Sequence, residues 1–571
     1  MLRRLLPILF VATACSHAPA DTRTAERAGA RTITIIGTSD LHGAIERLPI
    51  FAGFVANVRA SRAADGGGVL LLDGGDLFQG TLESNLAEGA DIVRAYNALH
   101  YDASALGNHE FDYGPVGPAV IAQSPSDDPR GALKKNIADA KFQFLVSNIA
   151  DDASGKRPPP WPHLKASTIV EVAGVKVGLI GASTKDTPTT TMPANFVGLH
   201  MTTTADAIAG EARALRAAGA DVIVVVAHLG SECRDTVHHD DISSCDKRAE
   251  LFPVADALPR GLVDVIVAGH THAAVAQRID GIAVIESLSS GRAFGRVDLV
   301  VGDHKVTSST IFEPKIMCAL DENRDPVAVE HCAPGYYEGK PVLADAQIQK
   351  IADEAIARAG VRRDEKLGVR LVGTVRRAYG TESELGDLFA DLMLAARPDA
   401  QLALTNGGGL RASLPKGELT YGQLFQAMPF DNRFAVVEVD GAAVKRLVIT
   451  NLQRGGGIFS WGGLVAVARC DGKKLDAQIS IAGKPLDEHA HYKLVTSDFL
   501  ASGGDSAVLG KLHLPPGAIQ VTDQIIREGM ADVLRARKGT IDPKQITTPR
   551  RLDYPGQRPV RCGGVASEDK E

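Results

Sequence analysis

Four nearly continuous apolar runs, rich in β-branched residues, constrain the fold of this chain more than any other feature. Apolar and polar residues do not alternate within them, which is typical of strands buried on both faces of a sheet. The runs occupy residues 32–36, 69–72, 221–227 and 264–268. Because α/β proteins place their sites at the ends of such strands, we expect the polar residues that follow the runs to share one edge of the fold.

The polar strings that follow these runs are rich in metal-binding side chains, and a fifth string of the same kind lies between the second and third runs. The strings are Asp40-Leu41-His42, Gly75-Asp76, Gly107-Asn108-His109-Glu110, Ala227-His228 and Gly269-His270-Thr271-His272. One such string is usually a surface turn or a polar pair. Five of them in strand-end positions indicate a hydrolytic site for two metal ions.

The residue types also predict how the ligands divide between two ions. Two ions about 3.5–4 Å apart need one bridging carboxylate, and Asp76 suits that position. The remaining ligands are expected in two sets, with Asp40, His42 and His272 at one ion and Asn108, His228 and His270 at the other. Mixed imidazole and oxygen ligands favour Zn, Mn, Fe or Co over Ca. We therefore expect two divalent ions, Zn, Mn or Co, and the sequence does not identify which.

Longer strings around these ligands, and others later in the chain, form a recognisable set. They include Gly-Thr-Ser-Asp40-Leu-His42-Gly, Asp73-Gly-Gly-Asp76 with Gln79-Gly80-Thr81, Gly107 to Gly114, Asn406 to Arg411, Met428-Pro429-Phe430 and Phe499 to Asp505. Together they resemble the calcineurin-like metallophosphoesterases, and more narrowly the 5′-nucleotidase and UDP-sugar hydrolase family. The resemblance implies an α/β chain, with a four-layer α-β-β-α metallophosphoesterase sandwich followed by a second α/β substrate-binding domain.

The resemblance also implies a catalytic dyad of His109 and Asp112. Charge builds on the equatorial oxygens during phosphoryl transfer, and an imidazole kept protonated by a carboxylate can stabilise it. A spacing of three residues lets Asp112 reach back to His109 within a turn. The alternative is that Asp112 only caps the segment that follows.

The later strings contain side chains suited to a nucleotide. Glycines 407–409 allow close backbone approach, Arg411 offers a planar fork to phosphate, Phe430 and Phe499 can stack on a base, and Asp505 can bind ribose hydroxyls. Taken one by one, each is more often explained as a loop or a core position. The resemblance implies that these residues act together with Asn406 as base, ribose and phosphate contacts.

One string departs from the family pattern. The family often has an Arg directly before Glu-x-Asn-x-Gly-Asn, whereas this chain has Thr381 before Glu382-Ser383-Glu384-Leu385-Gly386-Asp387. Arg376 or Arg377 is a candidate replacement. If neither replaces it, the grip on phosphate is weaker and the substrate differs, so nucleotide preference stays open.

The amino terminus and the cysteines predict an exported protein. Residues 1–20 form a signal segment, with cleavage after Ala18-Pro19-Ala20 or, slightly favoured, at a lipobox ending in Cys15. Localisation would be periplasmic or as an outer-membrane-anchored lipoprotein, with the lipid on Cys15 as the one membrane contact. The six other cysteines allow 15 connectivities. Sequence proximity favours Cys233–Cys245, Cys318–Cys332 and Cys470–Cys562, with free thiols as the alternative.

The domain organisation follows from where the motifs lie in the 571 residues. We expect a catalytic domain at 31–315, a connector helix at 340–365, a nucleotide-binding domain at 366–552 and a tail at 553–571 that is disordered apart from Cys562. The resemblance implies that the substrate binds between the two domains, which close by rotation at the connector helix. A net charge of −7 argues against a nucleic-acid partner.

The leading functional hypothesis is an exported, metal-dependent 5′-nucleotidase that hydrolyses nucleoside phosphates, with UDP-sugars as a further substrate class, through two-metal in-line attack of a bound hydroxide. The first alternative is a 2′,3′-cyclic-nucleotide phosphodiesterase with 3′-nucleotidase activity. A thiosulfohydrolase is disfavoured because Phe430 and Phe499 would have no role on a small sulfur substrate. A catalytically dead nucleotide-binding protein is disfavoured because every expected ligand position is filled. The sequence leaves the oligomeric state open.

Overall fold

Two sheets packed face to face form the amino-terminal half of the chain. The first contains, in spatial order, Lys305–Ile316, Ala293–Gly302, Arg31–Thr38, Gly68–Asp73, Ala103–Ala105, Gln143–Leu145 and Leu164–Lys165. The second contains Ala274–Ile279, Ile282–Ser287, Val265–Ala268, Val222–His228, Val175–Ser183 and Ser167–Val172. All four apolar runs therefore form strands, as predicted.

This architecture comes from a computed structural model that describes residues 29–563 apart from 118, 319–330, 508, 510–511, 513, 516 and 549. The predicted signal segment at 1–20, with Cys15, lies outside the described residues. Within the described part of the chain, every helix is too short or too polar to cross a lipid bilayer.

Apolar side chains fill the space between the two sheets and also cover their outer faces. Ile35, Leu72, Val224 and Val267 lie in the layer between the sheets. The first sheet is covered by Leu48–Asp65, Ala90–Leu99 and Gly131–Asp139, and the second by Thr204–Ala217 and Leu251–Ala257. The implied four-layer α-β-β-α sandwich is confirmed.

Short elements complete this half and border the ends of the strands. They are the helices Leu82–Asn85, Thr187–Thr190 and Pro193–Phe196, the 3-10 turns Ile45–Arg47 and His109–Phe111, and the paired strands Ile149–Asp151 and Leu199–Met201.

A long helix, Ala346–Arg363, connects the two halves, following a small hairpin of Tyr336–Tyr337 and Lys340–Pro341. The Asp345 side chain caps the start of this helix, because its carboxylate accepts from the Gln347 and Ile348 backbone N–H groups at 2.8 and 3.0 Å. Ile348 packs into the core of the first half, while Ala359 packs into that of the second. The helix lies within the range of 340–365 expected for the connector, and it contributes to both cores.

The second half combines three sheets with helices, as expected for a second α/β unit. Its sheets are Phe459–Gly462, Leu402–Asn406, His491–Ser497, Arg433–Asp440 and Ile519–Ile525; Lys484–Pro485, Lys474–Ile481, Leu464–Asp471 and Leu552–Asp553; and Gly417–Thr420, Lys366–Leu371 and Gly539–Ile541. Its helices are Glu384–Ala396, Tyr421–Ala427, Gly441–Gln453, Asp498–Ala501, Gly504–Ala507, Ile526–Arg537 and Pro543–Ile546, with a 3-10 turn at Gly407–Gly409.

The cysteine pairs agree with the sequence prediction, but the tail does not. Cys233–Cys245, Cys318–Cys332 and Cys470–Cys562 are all bonded. The expectation of a disordered tail is wrong as far as residue 563. Val560 is buried in the core of the second half, and its N–H donates to the Leu452 carbonyl at 2.8 Å.

Candidate active site

The structure brings every predicted metal ligand together where the two sheets present the carboxyl ends of their central strands. Asp40, Asp76 and Asn108 each follow a strand of the first sheet, while His228 ends a strand of the second and His270 follows its neighbour. These strands run parallel within each sheet, so their carboxyl ends lie at one edge. Among the described residues, these ligands form two clusters, and within each cluster the ligand atoms lie within 4.8 Å of one another. One cluster is Asp40, His42 and His272, and the other is Asp76, His228 and His270.

Asp76 lies between the two clusters, as a bridging ligand must. Its Oδ2 is 3.1 Å from His228 Nε2 in one cluster and 3.8 Å from His42 Nε2 in the other. Asn108 presents its amide oxygen to His228 Nε2 at 3.0 Å, while its amide nitrogen donates to the Thr190 carbonyl at 3.0 Å. That second bond fixes the amide with its oxygen towards the clusters.

The outer ring nitrogens of two ligands are held by backbone carbonyls. His42 Nδ1 lies 2.7 Å from the Gln79 carbonyl and His228 Nδ1 lies 2.9 Å from the Gly74 carbonyl. A carbonyl only accepts, so each Nδ1 carries a proton and each Nε2 is the ring nitrogen that faces the clusters. The donor set therefore has the form that a transition metal requires.

The backbone at these ligands is unusual. Asp40, His42, Asp76, His270 and His272 all have positive φ, between 49 and 82°. For residues with a Cβ this conformation costs roughly 1–2 kcal/mol each, and such strain clusters at functional sites. Packing enforces it, since a Cβ on Gly107 would lie 2.1 Å from Asp76 Oδ1.

The protonation states of three histidine ligands and of Asp76 fit metal binding. Burial, with neighbouring cations, holds the pKa of His42 and His272 well below the usual value and lowers that of His270 to about 3. Burial opposes ionisation of Asp76, but the His228 and His109 imidazoles hold its pKa well below the usual value. These neutral imidazoles and the ionised Asp76 are metal-binding forms. At His228, burial alone would lower the pKa, but the Asp76 carboxylate raises it to about 10, and burial raises the pKa of Asp40 to about 7, so an ion would have to displace protons from these two ligands.

The predicted dyad has the geometry that its role requires. His109 Nδ1 lies 2.6 Å from Asp112 Oδ2. Burial alone would lower the pKa of His109, but the carboxylates of Asp112 and Asp76 raise it above the usual value. The other Asp112 oxygen accepts from the Thr191 hydroxyl at 2.9 Å and the Met192 N–H at 3.3 Å. Both oxygens of the Asp112 carboxylate therefore have partners other than the helix cap that the alternative interpretation required.

A cavity of about 490 Å³ runs from the metal clusters into the second half of the chain. The first half contributes His109, Asp112 and His270 to its lining. All of the predicted substrate contacts line it from the second half, namely Asn406, Arg411, Phe430, Phe499 and Asp505. The structure therefore joins the two sets of sequence motifs in a single space.

Within the cavity, the predicted substrate contacts lie in two groups. Arg411 reaches the metal side, with its Nη2 3.0 Å from His42 Nε2, and the Phe430 ring lies 5.5 Å from the His109 ring. Asp505 lies beside the glycine turn, where its Oδ2 accepts from the Asn406 amide at 3.0 Å. The cationic Arg411 and the apolar Phe430 thus adjoin the metal-ligand clusters, and the Asp505 carboxylate lies beside the glycine turn.

The structure also distinguishes the two arginines proposed to replace the missing one. Arg377 lines the cavity and donates to the Leu410 carbonyl at 3.0 Å, whereas Arg376 is not among the lining residues described. Thr381 is exposed. Arg377 is therefore the better placed of the two to meet a phosphate.

Several lining residues were not predicted from the sequence. Gln79 and Asn85 donate from their amides to the Pro429 carbonyl at 2.8 and 3.2 Å, directly before Phe430. Gln79 belongs to the Gln79-Gly80-Thr81 string, which is part of the family resemblance but for which the sequence predicted no role in the site. Tyr379 also lines the cavity, along with Thr189 to Met192. No motif marks these positions, because their contacts join distant parts of the chain.

Comparison with known proteins agrees with this arrangement. A family model for calcineurin-like phosphoesterase matches residues 33–274, and one for the 5′-nucleotidase C-terminal domain matches 360–511. The protein UshA of Yersinia enterocolitica is 26% identical over 510 residues, covering 83% of this chain and 86% of UshA.

Two solved structures show the same fold. A 5′-nucleotidase precursor from Thermus thermophilus superposes with a TM-score of 0.70 at 23% identity, covering 91% of this chain and 99% of its own. The sulfate thiohydrolase SoxB of Thermus thermophilus superposes with a TM-score of 0.68 at 17% identity, covering 92% and 97%. At these identities the likeness shows the fold alone, so the substrate must be inferred from the site.

Proposed function

We propose that this chain, a phosphoric monoester hydrolase whose residues match the calcineurin-like phosphoesterase and 5′-nucleotidase C-terminal domain models, removes the phosphate from nucleoside 5′-phosphates. One observation carries the proposal. A single cavity connects two His and Asp clusters to a pocket that contains two Phe rings, a carboxylate and two Arg side chains. We also propose the domain boundaries 31–315 and 366–552.

The two clusters would hold two divalent ions, Zn, Mn or Co, with Asp76 between them. Such ions, when bound, activate water near neutral pH and neutralise charge on the phosphoryl oxygens. Asp40, His42 and His272 would hold one ion. Asn108, His228 and His270 would hold the other.

The residues around these clusters would act on the phosphoryl group. His109, kept protonated by Asp112, would donate to a phosphoryl oxygen as negative charge builds there. Arg411, which already reaches the metal side of the cavity, would hold a second oxygen, and Arg377 would assist it. These roles need no movement of the dyad, because the short bond between His109 and Asp112 fixes the imidazole.

The rest of the cavity would recognise the nucleoside. Phe430 and Phe499 are both half-buried and both line the cavity, so a flat base can stack on them. Asp505, held by Asn406, would accept hydrogen bonds from the ribose hydroxyls. Thiosulfate offers neither a base nor a sugar, so these contacts support the nucleotide substrate even though the fold also resembles that of a sulfate thiohydrolase.

We also propose that the protein is exported, as a periplasmic or lipid-anchored form. The support is the apolar segment with Arg3 and Arg4 before it, together with three bonded cysteine pairs, which are typical of oxidising compartments. Fractionation of cells that produce the full chain, with and without Cys15→Ser, tests this. Cytoplasmic recovery of both forms would overturn it.

A substrate panel tests the activity. The metal-stripped protein is reloaded with Mn, Co or Zn and assayed on AMP, UMP, ADP, ATP, UDP-glucose, NAD, 2′,3′-cyclic AMP, 3′-AMP and thiosulfate. We expect the highest kcat/KM on a nucleoside 5′-phosphate and loss of turnover with a chelator. Preference for the cyclic or 3′-substrates would assign the protein to the phosphodiesterase alternative, and turnover of thiosulfate alone would contradict the proposal.

A further inference from the structure

We propose that Arg558, in the carboxyl-terminal tail, is a positioning residue for the nucleotide cavity. It acts on Asp505 and Tyr379 by fixing the backbone at residues 451–457, the last turn of the helix Gly441–Gln453 and the residues that follow it, called the 451–457 loop below. The inference rests on the proposed function, because it assigns Asp505 to substrate binding. Arg558 does not line the cavity itself and lies beyond the region matched by the 5′-nucleotidase C-terminal model, which ends at residue 511.

The Arg558 guanidinium is bound by backbone carbonyls of two separate segments. Its Nε and Nη2 donate to the Asn451 carbonyl at 3.0 and 2.7 Å, and its Nη1 donates to the Gly380 carbonyl at 2.8 Å. Longer contacts of 3.3 to 3.4 Å reach the carbonyls of Arg454, Gly456 and Gly457. One planar fork therefore joins the 451–457 loop to the segment that contains Tyr379.

The loop in turn supports Asp505. Arg454 donates from Nη1 to the Asp505 carbonyl at 3.1 Å, and its Nη2 lies 3.4 Å from the Asp505 carboxylate. Both side chains of this ion pair are less than one-fifth exposed, so solvent screens it weakly. With Asn406 bonded to the same carboxylate, the Asp505 side chain has a fixed direction.

Asp505 needs such support because of its backbone. It has a φ of 52°, in the left-handed region that side chains avoid. A residue stays in this conformation only when its surroundings enforce it. The Arg454 contact to its carbonyl is one such restraint, and that contact depends on where the 451–457 loop lies.

The same network reaches Tyr379. The Tyr379 carbonyl accepts from the Ile458 N–H at 2.8 Å, directly after the loop. A Cβ placed on Gly457 would lie 3.5 Å from both the Tyr379 ring and the Asp505 carboxylate, so this glycine packs closely between them. Arg558 binds the carbonyls of Gly380, Gly456 and Gly457, and it therefore positions a cavity wall that it does not touch.

The tail is anchored on both sides of Arg558. Leu552 pairs with the strand Leu464–Asp471, Val560 is buried and bonded to Leu452, and Cys562 is bonded to Cys470. These anchors hold the Arg558 backbone over the loop whether or not its side chain is present. Removal of the guanidinium should therefore loosen the loop without releasing the tail.

The test compares Arg558→Ala with Arg561→Ala, a matched control from the same tail whose side chain is exposed. We expect Arg558→Ala to raise the KM for AMP about tenfold with little change in kcat, because several charge-assisted hydrogen bonds are lost. Turnover of p-nitrophenyl phosphate, which has no ribose, should stay unchanged. Arg558→Lys, which keeps the charge without the fork, should give an intermediate KM.

Hydrogen exchange provides a readout that does not depend on substrate. In Arg558→Ala, amides of residues 451–458 should exchange faster than in the wild type, and in Arg561→Ala they should not. Equal KM values for the two variants, equal losses on AMP and p-nitrophenyl phosphate, or unchanged exchange would each overturn the inference. A wild-type protein that hydrolyses p-nitrophenyl phosphate but no nucleotide would overturn the proposed function, and this inference with it.

Discussion

The metal half and the nucleotide half of the site are held in place by different means. The metal ligands are mostly buried, lie directly after strands, and have strained backbones fixed by close packing. The substrate contacts of the second half lie on turns and short helices, and are tied by side chains from distant parts of the chain. The difference teaches that charge chemistry requires a rigid scaffold, whereas base recognition tolerates loops with local ties.

If this comparison is right, the largest effect should come from the bridging ligand. Asp76→Asn removes the charge shared by both clusters, so we expect kcat/KM to fall by about 10³-fold or more, with metal lost from both sites. Kinetics and metal content by mass spectrometry measure this. Asp206→Asn, at an exposed carboxylate in the same half, serves as the control. Activity that persists in Asp76→Asn, or after chelation, would contradict the two-metal site.

The dyad should give the next largest effect. His109→Ala removes a group that acts on developing charge, so we expect kcat to fall on the order of 10²-fold while KM changes little. The loss should be similar on AMP and on p-nitrophenyl phosphate, since both carry the same phosphoryl group. A rise in KM alone would place His109 in binding instead of chemistry.

The nucleotide half should show the opposite selectivity. Phe430→Ala or Phe499→Ala removes stacking worth roughly 1–3 kcal/mol, so kcat/KM on AMP should fall by about 5- to 150-fold. On p-nitrophenyl phosphate it should stay nearly constant. The ratio of the two losses is the measurement, because a folding defect lowers both. Equal losses would return both rings to a structural role and remove the contrast between the halves.

The smallest effect on activity should come from Asp387, a buried carboxyl away from the cavity. Its carboxyl oxygens accept no hydrogen bond among the described residues, although Arg551 Nε lies 3.7 Å from Oδ2. Burial outweighs this cation and raises the pKa of Asp387 to about 8. The unfolded chain ionises this group near pH 4, so folding binds a proton. Its contribution to stability is therefore full below about pH 4 and is lost as the pH rises to 8.

The variant Asp387→Asn tests this, and the resembled family has Asn at the corresponding position of its string. At pH 7 we expect the free energy of unfolding of the variant to exceed that of the wild type by about a few kcal/mol, as the linkage between pKa and stability implies. At pH 5 the gain should be smaller. Urea unfolding at the two pH values measures both. Kinetics on AMP should match the wild type. A gain that does not depend on pH would show that Asp387 is ionised in the folded state.

The sequence predicted the metal half more completely than the nucleotide half, for physical reasons. Buried parallel strands require continuous apolar runs, and ligands at their ends lie next to those runs in sequence, so Asp40 and His270 could be found from local pattern. Arg558 and Tyr379 could not be found in this way. Arg558 binds the backbone carbonyls of Asn451 and Gly380, which are distant in sequence, and such contacts leave no local pattern. The choice between Arg376 and Arg377 also required the structure, since adjacent residues in an irregular segment point in different directions.

The tail shows a second limit of sequence reasoning. Its Pro, Gly and charged residues are typical of disorder, and composition alone does not reveal that Val560 enters a core. The cysteine was the useful signal, because the predicted pair Cys470–Cys562 joins the tail to the second half. Its significance for Arg558 emerged only from the contacts.

The bond between Cys470 and Cys562 has a practical consequence for producing the enzyme. It closes a loop with a sequence separation of 92 residues, which contains both Phe499 and Asp505. Cross-links of this span restrict the unfolded chain by roughly 4–5 kcal/mol in the chain-entropy model. We therefore expect protein made in a reducing cytoplasm to have a less stable second half, and to lose activity on AMP before it loses activity on p-nitrophenyl phosphate. A preparation should be judged on AMP, after oxidation of its thiols has been verified by mass.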